Sequence, residues 1–430
     1  MSTNLWARVD SEELKKVVRE SKNAPRRGVA LCSGGFVTSR NPFLVDHTVE
    51  ISPSAVRSIR GGYLWVYASD VRREPENADP VFVRMLDRAG NSLGFAFYSR
   101  QSQIRLRVFS REGDAPTPEL LRSRVAASLA RRGAFEENAA RRLIFGEGDL
   151  LPGIVVDRYG GILTMQTLSR GADALKTQIA EILRELVKPT GILERNDVRA
   201  RLFEGLDENR GVLWGKVPDE VEISENGVRF IVDPLNGQKT GFFLDQRENR
   251  VEAGKIAHGK TLDCFTNSGG FALHFARRAT TVLAVDISAD AVRQAERNRQ
   301  LNGFSNINFH EANVFDFLRE LERDKESFDT ICLDPPAFAK NRKAAAGARN
   351  GYKEINLRAL RLLRPEGILI TSSCSYHMPE MEFISLICEA AGDCRRHIQI
   401  WERRGQAADH PALAAMPETR YLKCFFIRAL

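Results

Sequence analysis

The chain has 430 residues, of which 43% are hydrophobic and 28% charged, and its formal net charge at pH 7 is +7. This composition excludes a largely disordered polymer and allows two to four domains with at least one sizeable core, while the positive balance favours an anionic partner without requiring one. No apolar run approaches a membrane span, the first ten residues hold no secretory core, and Cys32, Cys264, Cys332, Cys374, Cys388, Cys394 and Cys424 lack C-x-x-C spacing. A cytoplasmic chain with free thiols, no disulfide frame and no metal site is therefore expected.

Ser11 to Glu20 mixes charged and apolar positions like a short amphipathic helix, and Lys22 to Gly28 breaks it, so residues 1–48 read as an N-terminal extension. From Val49 the texture changes to short β-rich runs punctuated by glycine: Val49–Ile51, Gly61–Tyr67, Pro80–Leu86 and Ser92–Tyr98. These predict a small β-barrel over 49–117. Its last strand, Ile104–Phe109, alternates Arg105 and Arg107 with apolar residues, which puts both arginines on one face, placed either to meet RNA or to be solvated. Residues 118–222 predict an α+β middle domain. An arginine-dense helix covers 118–142, two strands flank a glycine-proline loop between Leu143 and Gly160, and Gly161–Gln166 adds a third strand. A helix over 172–186 and a strand over 191–195 complete it.

The last domain, 223–430, opens with a strand at Gly227–Val232 and a glycine-punctuated loop, Asn236 to Arg247, that leads into a polar helix. Five strand-like runs then alternate with helices: Thr261–Phe265, Thr281–Val285, Ile307–His310, Thr330–Leu333 and Gly367–Thr371. Such alternation means a doubly wound parallel sheet, and ligands of such sheets sit beyond the carboxyl ends of the strands. The residues at those ends form a set: Asn267-Ser268-Gly269-Gly270, Asp286, Asn313, Asp334-Pro335-Pro336 and Ser372-Ser373-Cys374-Ser375.

An acid about 20 residues beyond a glycine turn is placed to accept from ribose hydroxyls, which assigns Asp286 to an adenosine-type ligand. The turn has only the adjacent Gly269 and Gly270, not the G-x-G-x-x-G that admits a pyrophosphate, so S-adenosylmethionine (SAM) is favoured over a dinucleotide, with Asn313 placed to hold the adenine. Asp334-Pro335-Pro336 keeps the backbone extended and leaves a carboxylate to grip an exocyclic amine or ring nitrogen. Cys374 is the candidate nucleophile. A thiolate there would add to C6 of a pyrimidine and make C5 attack a methyl sulfonium, whereas the alternative for any free cysteine is simple burial. No residue is identified as the base that removes the C5 proton, and His377 nearby is read as incidental. Lys340, Arg342, Lys343 and Arg349 form a basic segment that either clamps a phosphate backbone or is solvated.

With these residues in view, the chain resembles the bacterial large-subunit ribosomal RNA cytosine-C5 methyltransferases that carry an N-terminal PUA domain, from Val49 to Leu430. The matching blocks run from Leu151 to Arg158, Lys239 to Arg247, Asp263 to Phe265 with Gly269-Gly270-Phe271, Asp334 to Pro336, Gly351 to Asn356, Ser373 to Ser375, and Gln406 to Pro411. The resemblance implies a PUA-like barrel, an α+β middle domain and a Rossmann-like SAM-dependent domain. It also implies Cys374 as attacking thiol, ribosomal RNA as partner, and a homodimer. Cofactor contacts are then expected from Gln246, Phe265, Thr266, Asn267, Ser268, Gly269, Gly270, Asp286, Ile287, Asn313, Val314 and Asp334. Catalysis is expected from Cys374 and Asp334, and RNA contacts from Pro335, Pro336, Lys340, Arg342, Arg105 and Arg107. Three positions depart from the pattern: Asn267 replaces a usual aromatic, Asn313 a usual acid, and Ala337 a frequent lysine. Ala337 also leaves no second cysteine after the Asp-Pro-Pro segment. Methyl transfer to a base amine, with Cys374 structural, and a non-catalytic RNA-binding or assembly factor are the other two readings.

Overall fold

The computed structural model describes residues 41–76, 78–111, 113–134, 136–237, 240–338 and 345–430. Two compact units divide the chain, the first built from residues 1–221, 232–242 and 409–419, the second from 222–231, 243–408 and 420–430.

The first unit begins with β1 (Thr48–Ile51) and α1 (Pro53–Arg60). Ser52 starts that helix by accepting from the Ala55 N–H, and Pro53 sits where no hydrogen bond is lost. Strands β2 (Trp65–Tyr67), β3 (Val71–Arg73), β4 (Phe82–Leu86), β5 (Ser92–Tyr98) and β6 (Ile104–Ser110) complete a near-closed barrel in the order β2-β6-β5-β4-β1-β3. The helix expected over 118–142 ends as α2 (Pro118–Arg132), because Gly133 turns the backbone to φ +65°. The residues beyond it start β7 (Ala140–Phe145), followed by β8 (Ile154–Tyr159), β9 (Ile162–Thr167), α3 (Arg170–Ala174), α4 (Lys176–Val187) and β10 (Gly191–Asn196). A further strand, β11 (Asn209–Gly215), closes a five-stranded sheet ordered β11-β10-β9-β8-β7 and was not anticipated. Asp409, from the late segment of this unit, accepts the Arg142 N–H at 3.1 Å.

The ribbon β12 (Val221–Glu225) and β13 (Val228–Val232) and the helix α5 (Arg247–Ile256) precede the main sheet of the second unit. There follow β14 (Lys260–Cys264), α6 (Gly270–Phe275), β15 (Thr281–Asp286), α7 (Ala289–Asn302), β16 (Ile307–Glu311), α8 (Val314–Arg323), β17 (Phe328–Leu333) and α9 (Ala345–Leu362). The chain ends in β18 (Leu363–Ser373), α10 (Glu380–Asp393), β19 (Ile398–Arg404) and β20 (Lys423–Ala429). The sheet order is β16-β15-β14-β17-β18-β20-β19, with five parallel strands and an antiparallel edge made by β20 and β19. The core follows helical spacing on each covering helix: Val314, Leu318 and Leu321 on α8, Tyr352, Ile355 and Ala359 on α9, Phe383, Leu386, Ile387 and Ala390 on α10. Each large aliphatic so buried contributes on the order of 2 kcal/mol. The strand order reverses between β14 and β17, so the ends of these two strands open the crevice where a ligand of such a sheet binds.

Among the described residues, no helix is long and apolar enough to cross a membrane and no cluster of His, Cys, Asp or Glu has the arrangement of a metal site.

Candidate active site

Beyond β14 the chain makes a sharp turn in which Phe265, Asn267 and Gly269 all take positive φ, at 64°, 49° and 85°. Two of these are not glycine, a conformation that persists only where surrounding bonds over-determine it. They do so here. The Thr266 N–H donates to the Val285 carbonyl at 3.0 Å, the Gly269 N–H to the Thr266 carbonyl at 2.9 Å, and the Asn267 N–H to the Asp286 carboxylate at 2.9 Å. Asn298, fully buried on α7, donates to the Ser268 carbonyl at 2.9 Å while accepting the Ile231 N–H. From below, Arg250 sits where a side chain on Gly270 would have to go, 3.0 Å from the position of its Cβ.

Two carboxylates shape this turn from opposite sides. Asp286, at the end of β15, also accepts the Ser288 N–H at 3.0 Å, so both its oxygens face loop backbone and its half-buried position leaves room for a further donor. Asp263 lies inside β14, fully buried, accepting from the Thr266 hydroxyl at 2.6 Å and the Ala272 N–H at 2.9 Å. Burial, reinforced by the Asp334 carboxylate, pushes Asp263 up to about 7 against those two hydrogen bonds. Ile287 is exposed beside Asp286. Asn313 caps α8 by accepting the Phe315 N–H at 2.9 Å, and Val314 behind it belongs to the core. The oxygen expected to meet an adenine amine is thus shared with a capping bond.

Asp334 follows β17 directly. A relay orients its carboxylate: Arg404 Nε donates to Asn249 Oδ1 at 2.9 Å, Asn249 Nδ2 to Gln246 Oε1 at 2.6 Å, and Gln246 Nε2 to Asp334 Oδ1 at 2.8 Å. Pro335 is buried and Pro336 exposed. Phe338 anchors the departing loop, its ring 4.7 Å from that of Tyr352 and 5.9 Å from that of Phe315. The strand-end set expected from the sequence is therefore gathered on one edge, with Gln246 joined to it through Asp334.

Cys374 leaves the end of β18 half-buried, with Sγ 4.0 Å from the Pro335 carbonyl. Its two serine neighbours are held by one hydroxyl, since Ser373 Oγ donates to the Tyr352 OH at 3.0 Å and that OH lies 3.0 Å from Ser375 Oγ. The backbone on either side of the thiol is thereby clamped to α9. Lys423, the first residue of β20 and paired across the strands with Ser373, donates to the carbonyls of Ser375 at 2.7 Å and Tyr421 at 2.8 Å. Burial pulls this amine down to about 8, opposed by the attraction of Cys374. Cys264 and Cys332, by contrast, are fully buried inside strands, where desolvation drives their thiols far up and leaves them inert.

Three expectations change. Arg105 and Arg107 share a face of β6 as the alternation requires, but their side chains are only 16% and 11% exposed. Arg105 pairs with Glu74 at 3.1 Å, and Arg107 with Glu204 at 2.8 Å and Glu147 at 3.3 Å, so each of these charges already has carboxylate partners within the first unit. Arg349 is helical, part of α9, and ion-paired to Glu382 and Glu389 on α10 rather than sitting in a basic loop. Lys340, Arg342 and Lys343 lie outside the described residues, as does the N-terminal extension up to residue 40. Arg250, Asn298 and Lys423 were missed. Arg250 and Asn298 sit on helices rich in polar residues, where nothing local marks them out, and only Lys423, at the head of an apolar strand, offered a signal before the fold is known.

Residues 256–412 match a family model described as a methyltransferase domain, and residues 49–111 one described as a PUA-like domain. The chain is 40% identical over 396 residues to the ribosomal RNA large subunit methyltransferase I of Tolumonas auensis, covering 89% of this chain and 99% of that protein. It is likewise 40% identical over 380 residues to the protein of the same name from Photobacterium profundum, covering 86% and 96%. Among solved structures, a Streptococcus mutans protein classed as a SAM-dependent methyltransferase superposes with a TM-score of 0.76 at 21% identity, over 89% of this chain and 99% of that one. A second structure, classed as a methyltransferase and solved with S-adenosylhomocysteine bound, gives 0.77 at the same identity and coverage.

Proposed function

From the membership of this chain in the ribosomal RNA large subunit methyltransferase I family, we propose that it transfers a methyl group from SAM to C5 of a cytosine in large-subunit ribosomal RNA, with Cys374 as the covalent nucleophile. The carrying observation is the placement of the Cys374 thiol on the edge shared with Asp334 and the glycine turn, with its backbone held by Tyr352.

The turn fits the cofactor. Its positive-φ residues and small Gly269 and Gly270 permit close backbone approach, and Asp286 offers carboxylate lone pairs at the position where ribose hydroxyls would lie. Phe265, Thr266, Asn267, Ser268, Ile287, Asn313 and Val314 would line the same crevice. When bound there, SAM supplies an electrophilic methyl group on a sulfonium. The chain's own residues do the rest. Cys374 Sγ adds to C6 of the base, and the C5=C6 electron pair is released toward C5, which takes the methyl. Loss of the C5 proton to a base then restores the double bond and expels the thiolate. Asp334, pinned by Gln246, accepts from the exocyclic amine and fixes the ring over the thiol, while Pro335 and Pro336 hold the backbone extended beneath it.

The test has two parts. Mass mapping of ribosomal RNA from cells lacking the protein is expected to show one cytosine without its C5 methyl, and an unchanged methylation map would sink the substrate assignment. Replacing Cys374 by serine is expected to abolish turnover while cofactor binding persists. Full activity would instead assign the methyl to a base amine gripped by Asp334.

A further inference from the structure

Lys423 is a buried cation whose role no stability argument explains. Its side chain is almost wholly sequestered, and among the described residues no carboxylate comes within ion-pairing distance of Nζ. Its two acceptors are backbone carbonyls. An ammonium buried on carbonyls alone is less favourable than an apolar residue of the same shape, because its desolvation is not repaid by a counter-charge. A methionine would fill the volume without that cost.

The geometry around it points to a partner. Lys423 lies opposite Ser373 in the β18–β20 pairing, so the two side chains share a face of the sheet, and the next residue after Ser373 is Cys374. One of the two carbonyls that hold Nζ belongs to Ser375, so the ammonium is fastened to the residue that follows the thiol. Several charged and titratable groups adjoin the pair, among them Tyr376 and His377 just past Ser375 and Tyr421 just before Lys423. Tyr352 of α9 stands behind the serines, Asp334 adjoins Pro335 on the β17 loop, Glu380 begins α10, and Arg420 precedes β20. Glu380 and Arg420 act on Lys423 in opposite senses and after Cys374 in size, so the thiol is the leading electrostatic neighbour of the amine.

We propose that Lys423 holds Cys374 as a thiolate, making it a positioning residue whose ammonium charge readies the nucleophile before RNA arrives. The S–H bond breaks with its electron pair left on sulfur and its proton passed to water, and the ammonium balances the charge so formed. The same charge receives the thiolate again when the C5–methyl product is expelled. Lys423 loses its charge only as the pH rises through about 8, so its ammonium is present over the neutral range. This rests on Cys374 being the attacking thiol, but the test does not depend on methyl transfer.

The experiment is the pH profile of Cys374 alkylation by iodoacetamide in the full chain without RNA or SAM, read by mass spectrometry of the peptide containing Cys374. Such a readout is needed because Cys388 is exposed and also reacts. The native protein is expected to show a midpoint at least one pH unit below the ordinary thiol value of about 8.5. Lys423→Met is expected to raise that midpoint by one unit or more, slowing alkylation at pH 7 about tenfold, and Lys423→Arg to restore most of it because the charge persists. A Lys423→Met protein that folds and keeps the native midpoint overturns the proposal. If that variant fails to fold, the native profile alone decides, since a midpoint at or above about 8.5 also overturns it. A native profile as expected, together with full methylation by Cys374→Ser, would instead refute the reaction assigned above and leave the ion pair standing.

Discussion

Arg250→Met is the perturbation that most directly tests how the glycine turn is supported. Arg250 and Glu225 are 3% and 2% exposed, and the guanidinium donates to both carboxylate oxygens, at 2.7 and 2.5 Å, while His274 Nε2 lies 3.0 Å from one of them. Burial works against the charge on Glu225, but Arg250 and its hydrogen bonds, joined by His274, outweigh it and bring the carboxyl from 4.5 to about 2. At 1.36 kcal/mol per decade that gap is worth about 3 kcal/mol, fully present above pH 4.5 and lost as the pH falls through 2. Removing the guanidinium costs about 3–5 kcal/mol at pH 7, because a buried carboxylate is left without its main partner. In the variant the sign reverses. With burial opposed by His274 alone, Glu225 holds its proton to higher pH than in the native protein, so the deficit is largest near pH 8.5 and shrinks toward pH 5. Urea unfolding at these pH values measures both the size and the slope. Because Arg250 also donates to the Phe243 carbonyl at 2.8 Å and lies against Gly270, SAM affinity falls with it. A loss below about 1 kcal/mol, or one equal at pH 5 and pH 8.5, refutes the reasoning, as would failure of Glu225→Leu to recover stability lost by Arg250→Met.

Asp263→Asn should flatten the pH dependence of stability. The native carboxyl keeps its proton to about 7, so its contribution is complete below 3.8 and is lost as the pH rises through 7, by about 4 kcal/mol. The amide cannot ionise but still accepts from Thr266 and Ala272, so the variant gains on the native protein between pH 5 and pH 8 in urea titrations, and a parallel pair of curves would count against a protonated Asp263. Gln246→Leu cuts the relay from Arg404 to Asp334 while leaving Asn249 its bond to the Gly405 carbonyl at 3.1 Å. Single-turnover methylation at saturating SAM should slow about tenfold, the equivalent of one hydrogen bond to a charged group. An unchanged rate would show that Asp334 needs no orienting.

How much of this was legible in the sequence depends on whether a residue's task is local. Parallel strands buried in a sheet are rich in apolar residues, so β15 and β17 could be read from composition, while β14 and the exposed edge strand β16 were placed by the alternation with helices, and the carboxyl ends followed by counting. The cap of α8 was likewise local, an asparagine immediately ahead of an apolar stripe, although it was read as a ligand residue because both uses place Asn313 at a strand end. Charge pairing is not local. Arg107 finds Glu147 and Glu204, 40 and 97 residues away, and only the folded barrel shows that its charge is spent. Lys423 reads as an ordinary start to a terminal strand until the antiparallel register with β18 lays it beside Ser373. The same rule separates the described cysteines. Burial inside a strand silences Cys264 and Cys332, whereas Cys374, one residue past the end of β18, escapes the sheet and is followed by Ser375, whose carbonyl holds the buried Lys423 amine. The surroundings of Cys374 are thus set by where its strand stops and by which distant strand pairs with that end, and only the first of these is written in adjacent residues.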